Sequence, residues 1–236
     1  MKLFLLPTCL GDTDFEEVLP ARYLERIQHL RAFFVEDVKS ARRFLRKIGY
    51  RVAFEEVTFV ELSEHTREAS LEEVLGKQDV DVDALSGQDI GVMSEAGLPC
   101  VADPGNLAVE WAHRKGLQVV PLSGPSSIFM ALMASGFNGQ NFCFHGYLPV
   151  KAAERDEKLR RLEAAARSGQ TQIFIETPYR SQNMWDAIVN ACRAETRLCV
   201  ASEISTEQEF IRSMTVAQWR KQGCRLHKMN TVFLLA

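Results

Sequence analysis

The sequence predicts an α/β fold on two observations: short apolar runs bounded by turn residues recur along the chain, and stretches of helical periodicity separate them. Such alternation is the pattern of sheets assembled from β-α units with parallel pairing. The 236 residues, 46% apolar and 25% charged, match an ordinary globular chain and suffice for one large domain or two small ones. Neither figure fits a disordered or fibrous chain.

The first strand is expected at Leu3–Leu6, closed by Pro7, followed by a helix over Ala21–Leu30. Ala32–Glu36 reads as a strand and Asp37–Ile48 as a helix, with Asp37 placed to cap it. Periodicity predicts a helix over Leu71–Ala84, then a strand at Asp89–Ser94. Asp103-Pro104 reads as an N-cap and first-turn proline before a helix at Asn106–Lys115. Strands at Leu117–Leu122, Asn141–Leu148, Thr171–Thr177, Leu198–Ile204 and Thr231–Leu235 complete a set of eight. Helices at Ser126–Ala134, Ala153–Arg167, Ser181–Cys192 and Val216–Gln222 fall between them. A domain seam is expected near Ser123-Gly124-Pro125, where a strand ends and small turn-forming residues start a helix.

The charge sum, 28 basic against 31 acidic residues, gives −3, so the chain as a whole is no polycation. The total conceals a polarised N-terminal half. Val38–Arg51 holds Lys39, Arg42, Arg43, Arg46, Lys47 and Arg51 and no acid, with Lys39, Arg42, Arg43 and Arg46 along one side of the expected helix. Glu55–Asp83 holds ten acids against Arg67 and Lys77. A basic helix is either a solvated face or a site for a polyanion.

Six cysteines without a Cys-x-x-Cys pair point to a reducing, cytoplasmic setting and away from zinc. The five histidines are far apart in sequence and form no metal-ligand spacing. Leu3–Leu6 falls short of the roughly 7–15 apolar residues of an export segment, and no run approaches the ~18 of a membrane span. A soluble protein without membrane or metal partner is expected. Phosphate-loop and dinucleotide glycine signatures are absent.

Chemistry is therefore sought in loops at the C-terminal ends of strands, where open α/β sheets bind ligands. Three stand out. Ser94–Gly105 contains glycines that let backbone approach a ligand; Ser123-Gly124-Pro125-Ser126-Ser127 leaves free N–H groups at a helix start; Phe144–Pro149 is followed, after the next strand, by Glu176-Thr177-Pro178-Tyr179-Arg180.

Taken in order, these segments resemble the tetrapyrrole-methylase superfamily. Ser94–Gly105 is similar to its Ser-Asp-Ala-Gly-x-Pro-x-x-x-Asp-Pro-Gly segment, and Gly124–Ser127 with Ala131-Leu132 and Ser135-Gly136 to its Gly-Pro-Ser-x-x-x-x-Ala-Leu-x-x-Ser-Gly segment. Phe144–Lys151 resembles Phe-x-Gly-Phe-Leu-Pro-x-Lys, and Glu176–Arg180 resembles Tyr-Glu-Ala-Pro-His-Arg. Glu36–Lys39 and Glu203–Glu209 resemble the Glu-Asp-Thr-Arg and Glu-Leu-Thr-Lys-x-x-Glu of the branch that methylates a ribose 2′-oxygen of a cytidine in small-subunit rRNA.

The resemblance implies two α/β domains, residues 1–122 with a mostly parallel sheet and 123–236 with a mixed one, S-adenosyl-L-methionine in the cleft between them, and a homodimer acting on RNA. It implies cofactor contacts from Pro7, from Ser94, Glu95, Ala96, Gly97 and Pro99, and from Ser123, Gly124, Ser126 and Ser127. Further contacts are implied from Tyr147, Leu148, Glu176, Thr177, Asn230 and Thr231. Some residues depart from the branch: Glu95 replaces an aspartate, His65-Thr66-Arg67 replaces His-Asn-Glu, Pro7–Asp12 lacks an asparagine, and Lys228–Thr231 stands where Lys-Gly-Glu is usual. Methyl transfer to a weakly acidic hydroxyl gains from a nearby base, and Glu36, Asp37, His65 and Glu95 are the candidates. A small-molecule acceptor such as a tetrapyrrole, or a non-catalytic RNA-binding relic, are the rival readings.

Overall fold

A computed structural model of the chain describes residues 1–62, 70–80, 85 and 87–236. It divides into two compact units, Met1–Ser126 and Ser127–Ala236.

The first unit is built on strands β1 (Lys2–Leu5), β2 (Ala32–Val35), β3 (Thr58–Glu61), β4 (Ile90–Met93) and β5 (Gln118–Pro121). They lie in the order β3-β2-β4-β1-β5, all parallel, with Leu3 opposite both Ile90 and Val119. Every residue of β2 and β4 is buried, as expected for a parallel sheet covered on both faces. Alternate side chains feed two cores: Leu3, Phe34, Ile90, Val92 and Trp111 on one face, Phe4, Phe33, Val35, Leu45 and Tyr50 on the other.

Helices α1 (Phe15–Val18), α2 (Tyr23–Ile27), α3 (Val38–Lys47), α4 (Leu71–Lys77) and α5 (Asn106–Arg114) connect these strands. Asp37 caps α3 by accepting the Ser40 amide at 2.7 Å, and Ser70 with Glu73 forms a capping box on α4. Gly49, at φ +86°, stops α3 and lets the Tyr50 amide return to the Leu45 carbonyl.

The structure corrects four expectations in this unit. The helix expected over Ala21–Leu30 is only Tyr23–Ile27, because the Tyr23 amide turns back to the Pro20 carbonyl; α1 lies before it, capped by Asp14. The helix expected to reach Ala84 ends at Lys77, where Asp79 adopts φ +52° and the Val80 amide bonds the Leu75 carbonyl. Asp103 does not cap α5: Gly105 holds that position, while Asp103 Oδ1 accepts the amides of Cys100 and Gly105. The unexpected β3 is an edge strand completed by pairing with β2.

The second unit contains α6 (Ser127–Ser135), β6 (Phe142–Tyr147), α7 (Ala152–Arg167), β7 (Thr171–Glu176), α8 (Ser181–Ala191), β8 (Arg197–Ser202), β9 (Phe210–Thr215), α9 (Val216–Gln222) and β10 (Thr231–Leu235). Its sheet is mixed, ordered β6-β7-β10-β8-β9, with β6 and β7 parallel and the other pairs antiparallel. Among the described residues the eight expected strands become ten with β3 and β9; β9 pairs with β8 from Arg197–Thr215 to Ser202–Phe210. Phe174 and Phe233 stack across β7 and β10, and the fully buried Trp219 donates its indole N–H to the Leu198 carbonyl. Buried Glu163 accepts the Arg193 amide and the Thr196 hydroxyl, tying α7 to the turn before β8.

Candidate functional site

All strands of the first sheet run in one direction, so the loops following β1, β2, β4 and β5 leave from one edge. Their backbones are tied together there. The Thr8 amide donates to the Gly97 carbonyl at 2.9 Å, joining the first loop to the third. Gly97 has φ +78°, and Gly124 packs against Pro7 with no space for a side chain. Pro7 is buried, its carbonyl accepting the Tyr23 hydroxyl at 2.7 Å. Pro99 and Ser126 are buried, whereas Glu95, Ala96 and Ser123 are exposed and Ser94 is half-buried.

The candidate carboxylates meet at the ends of β2 and β4. Glu36 Oε2 accepts the Glu95 amide at 3.2 Å, and Glu95 Oε1 accepts the Ser40 hydroxyl at 3.0 Å. Hydrogen bonding to Ser40, whose amide donates to Asp37 Oδ1 at 2.7 Å, holds the Asp37 carboxyl below the usual aspartate range. Glu36, Asp37 and Glu95 thus form one network with Ser40 at its centre. His65, with Thr66 and Arg67, lies outside the described residues.

The Ser94–Gly105 loop is braced from within. Asp103 Oδ1 is shared by the Cys100 amide at 2.9 Å and the Gly105 amide at 2.8 Å, and Cys100 and Ala102 both have positive φ. Burial raises the Asp103 carboxyl and pushes the Cys100 thiol up to about 12, which keeps it from acting as a thiolate near neutrality. The sequence marks Asp103 only as an N-cap, a position that Gly105 takes instead; its bracing role required knowing where residues 100 and 105 sit.

In the second unit, Tyr147, Glu176, Thr231 and Ser202 stand at one edge of the sheet. Thr231 is in register with Glu176 on one side and Ser202 on the other, and Tyr147 with Ile175. Buried Glu176 accepts the Thr177 amide at 2.7 Å and binds the Arg180 guanidinium through Nε and Nη2, at 2.9 and 2.7 Å. Thr231 Oγ1 lies 3.0 Å from Ser202 Oγ and donates to the Met229 carbonyl. Asn230 is exposed; Leu148 belongs to the core, and Ser127 opens α6, which packs against β9 and β10.

The basic helix α3 is more structural than its sequence suggests. The Arg46 guanidinium lies 3.9 Å from the Phe54 ring centroid and donates to the Tyr50 and Val52 carbonyls, while Arg42 covers Phe54 and Phe59. Lys47 reaches Asp12 and the Thr13 carbonyl. Lys39 and Arg43 are left exposed on the same helix.

Among the described residues no group of three or more His, Cys, Asp or Glu side chains could hold a metal ion, and no helix is long and apolar enough to cross a membrane. All six cysteines are free thiols.

Residues 13–219 match the profile of the tetrapyrrole (corrin/porphyrin) methylases. The chain is 28% identical to ribosomal RNA small subunit methyltransferase I of Escherichia coli O157:H7, over 99% of this chain and 77% of that protein. It is 29% identical to the Pseudomonas aeruginosa protein of the same name, over 99% of this chain and 78% of that one. The solved structure of uroporphyrin III C-methyl transferase from Thermus thermophilus shares the fold, with a TM-score of 0.59 at 14% identity, covering 100% of this chain and 97% of the other.

Proposed function

Since the chain belongs to the tetrapyrrole (corrin/porphyrin) methylase family and is an S-adenosylmethionine-dependent methyltransferase, we propose that its acceptor is small-subunit rRNA and that the methyl goes to a ribose 2′-oxygen. The single observation that carries the RNA reading is the alignment with rRNA methyltransferases across 99% of the chain.

The residues present suit the cofactor. Loops rich in glycine and serine, tied together through Thr8 and Gly97, offer backbone groups at a sheet edge, with Glu95 exposed beside them. Pro7, Ser94–Gly97, Pro99, Ser123, Gly124 and Ser126 of the first unit, and Ser127, Tyr147, Leu148, Glu176, Thr177, Asn230 and Thr231 of the second, are the residues assigned to hold it. The cofactor supplies an electrophilic methyl on a sulfonium. The protein's part is to hold the acceptor oxygen in line with it and to take the hydroxyl proton as the new O–C bond forms. Glu36 or Glu95 serves as that base. Asp37 is the weaker choice, because its bonds to Ser40 favour the ionised form and so reduce its affinity for a proton. His65 remains a candidate from sequence alone. Lys39 and Arg43 supply positive charge for the RNA phosphates. A homodimer in the cytoplasm belongs to the same proposal.

Mass spectrometry of nuclease-digested small-subunit rRNA from cells with and without the gene tests this directly. One 2′-O-methylated nucleoside should vanish with the gene. Unchanged rRNA alongside labelled methyl in a small-molecule fraction would support a tetrapyrrole-like acceptor instead. Transfer to neither, with RNA still retained, would support the non-catalytic relic.

A further inference from the structure

Six described residues other than glycine have positive φ, a backbone conformation that side chains disfavour. Asp79 uses it to end α4. The other five fall in two places: Cys100 and Ala102 in the braced loop after β4, and Glu203, Ser205 and Lys228 in the segments that leave β8 and approach β10. Strain of this kind persists only where surrounding bonds enforce it.

Around Glu203 those bonds are explicit. Its backbone amide donates to the Asn230 carbonyl at 3.0 Å, and its own carboxylate Oε1 accepts the Asn230 amide at 2.5 Å. One residue, turned to φ +49°, therefore satisfies both backbone groups of Asn230. The neighbouring positions are fixed as well: the Ser181 hydroxyl donates to the Met229 carbonyl at 2.7 Å, and Thr231 is bonded to Ser202 across the strand pair. Met229–Thr231 is thus held by side chains on both flanks, with Asn230 exposed to solvent. Neither helix nor regular strand spacing accounts for the Glu203 side-chain bond.

We infer that Glu203 is a positioning residue of the cofactor site, whose carboxylate clasp on Asn230 presets the Asn230–Thr231 backbone for binding. This rests on the reading above that Asn230 and Thr231 contact S-adenosylmethionine. Glu203 acts through Asn230 and takes no part in the proton transfer. The clasp replaces an ordering step that binding would otherwise have to drive.

Titration calorimetry with S-adenosylhomocysteine, paired with thermal unfolding, tests the assignment. Glycine accepts φ +49° without strain, so Glu203→Gly removes the clasp while relieving the backbone. It should weaken binding about tenfold with an unfolding temperature equal to or above that of wild type. Glu203→Gln keeps an acceptor oxygen and should bind within about twofold of wild type. Ser205→Gly relieves a neighbouring strained residue without touching the clasp and should leave affinity unchanged. If Glu203→Gly fails to fold, Glu203→Ala compared with Glu203→Gln gives the same contrast. Wild-type affinity in Glu203→Gly or Glu203→Ala, or affinity losses that merely follow losses of unfolding temperature, would overturn the inference. A wild-type protein that binds no S-adenosylhomocysteine would overturn the cofactor reading itself, and the role of Glu203 with it.

Discussion

Gly124 and Pro7 pack so closely that a Cβ on Gly124 would lie 2.2 Å from the proline Cβ and 2.7 Å from its Cγ. The proline ring occupies the space that any side chain would need, and so brings the loops after β1 and β5 together. Gly124→Ala is expected to destabilise the protein by about 1–3 kcal/mol, because the proline ring cannot rotate away. Denaturant unfolding should show this against Gly139→Ala, where nothing lies within 4 Å.

Gly76 gives the opposite sign. It lies within α4, where a Cβ would meet nothing within 4 Å and φ is not positive. Gly76→Ala should stabilise by about 0.5–1 kcal/mol through the lower entropy of the unfolded chain, read as a raised denaturation midpoint.

Arginines on one helix should separate into structural and ligand-facing roles. Arg46→Ala removes a guanidinium 3.9 Å from the Phe54 ring centroid and two carbonyl hydrogen bonds, and should cost about 1–2 kcal/mol. Arg43→Ala should change stability by less than about 0.5 kcal/mol. It should nevertheless weaken RNA retention and flatten its salt dependence, measured by filter binding across a salt series.

Glu36 and Glu95 are joined through the Glu95 amide, and Glu95 is joined to Ser40. Replacing each by Gln should lower kcat for methyl transfer about 100-fold in at least one of the two, with S-adenosylhomocysteine affinity within about threefold of wild type for Glu36→Gln, which is not a cofactor contact. Asp37→Ala should instead cost about 1 kcal/mol of stability by uncapping α3, read by thermal unfolding.

His145 provides a pH test. Its Nε2 lies 2.8 Å from Gln172 Oε1, and burial lowers its pKa below the ordinary 6.5. The unfolded chain therefore binds this proton more readily than the folded one. Its contribution to stability is complete above about pH 6.5 and is lost as pH falls through the depressed folded value. Unfolding free energies should fall between about pH 7.5 and about pH 5.5, and more steeply than in His145→Gln.

Much of the first unit was legible because parallel strands buried on both faces leave continuous apolar runs, as at Ala32–Val35 and Ile90–Met93. Asp37 was also recognisable as a cap, since that chemistry is local. The edge strands β3 and β9 were not: Thr58–Glu61 has only one buried residue and Phe210–Thr215 none, so their apolar pattern is faint until a partner strand supplies the hydrogen bonds. The basic helix was legible as charge, but its division of labour depended on Phe54 and Phe59, which only folding brings beneath Arg42 and Arg46.

The sequence by itself determined the alternation of strands and helices, the order of the motif loops and the family to which they belong, because periodicity, turn chemistry and motif spacing are properties of neighbouring residues. Tertiary structure alone decided the strand order β3-β2-β4-β1-β5, the closure of Gly124 on Pro7, the Glu36–Glu95–Ser40 network and the Glu203 clasp on Asn230. Each joins residues well separated along the chain, and its energy depends on distances that no local pattern encodes.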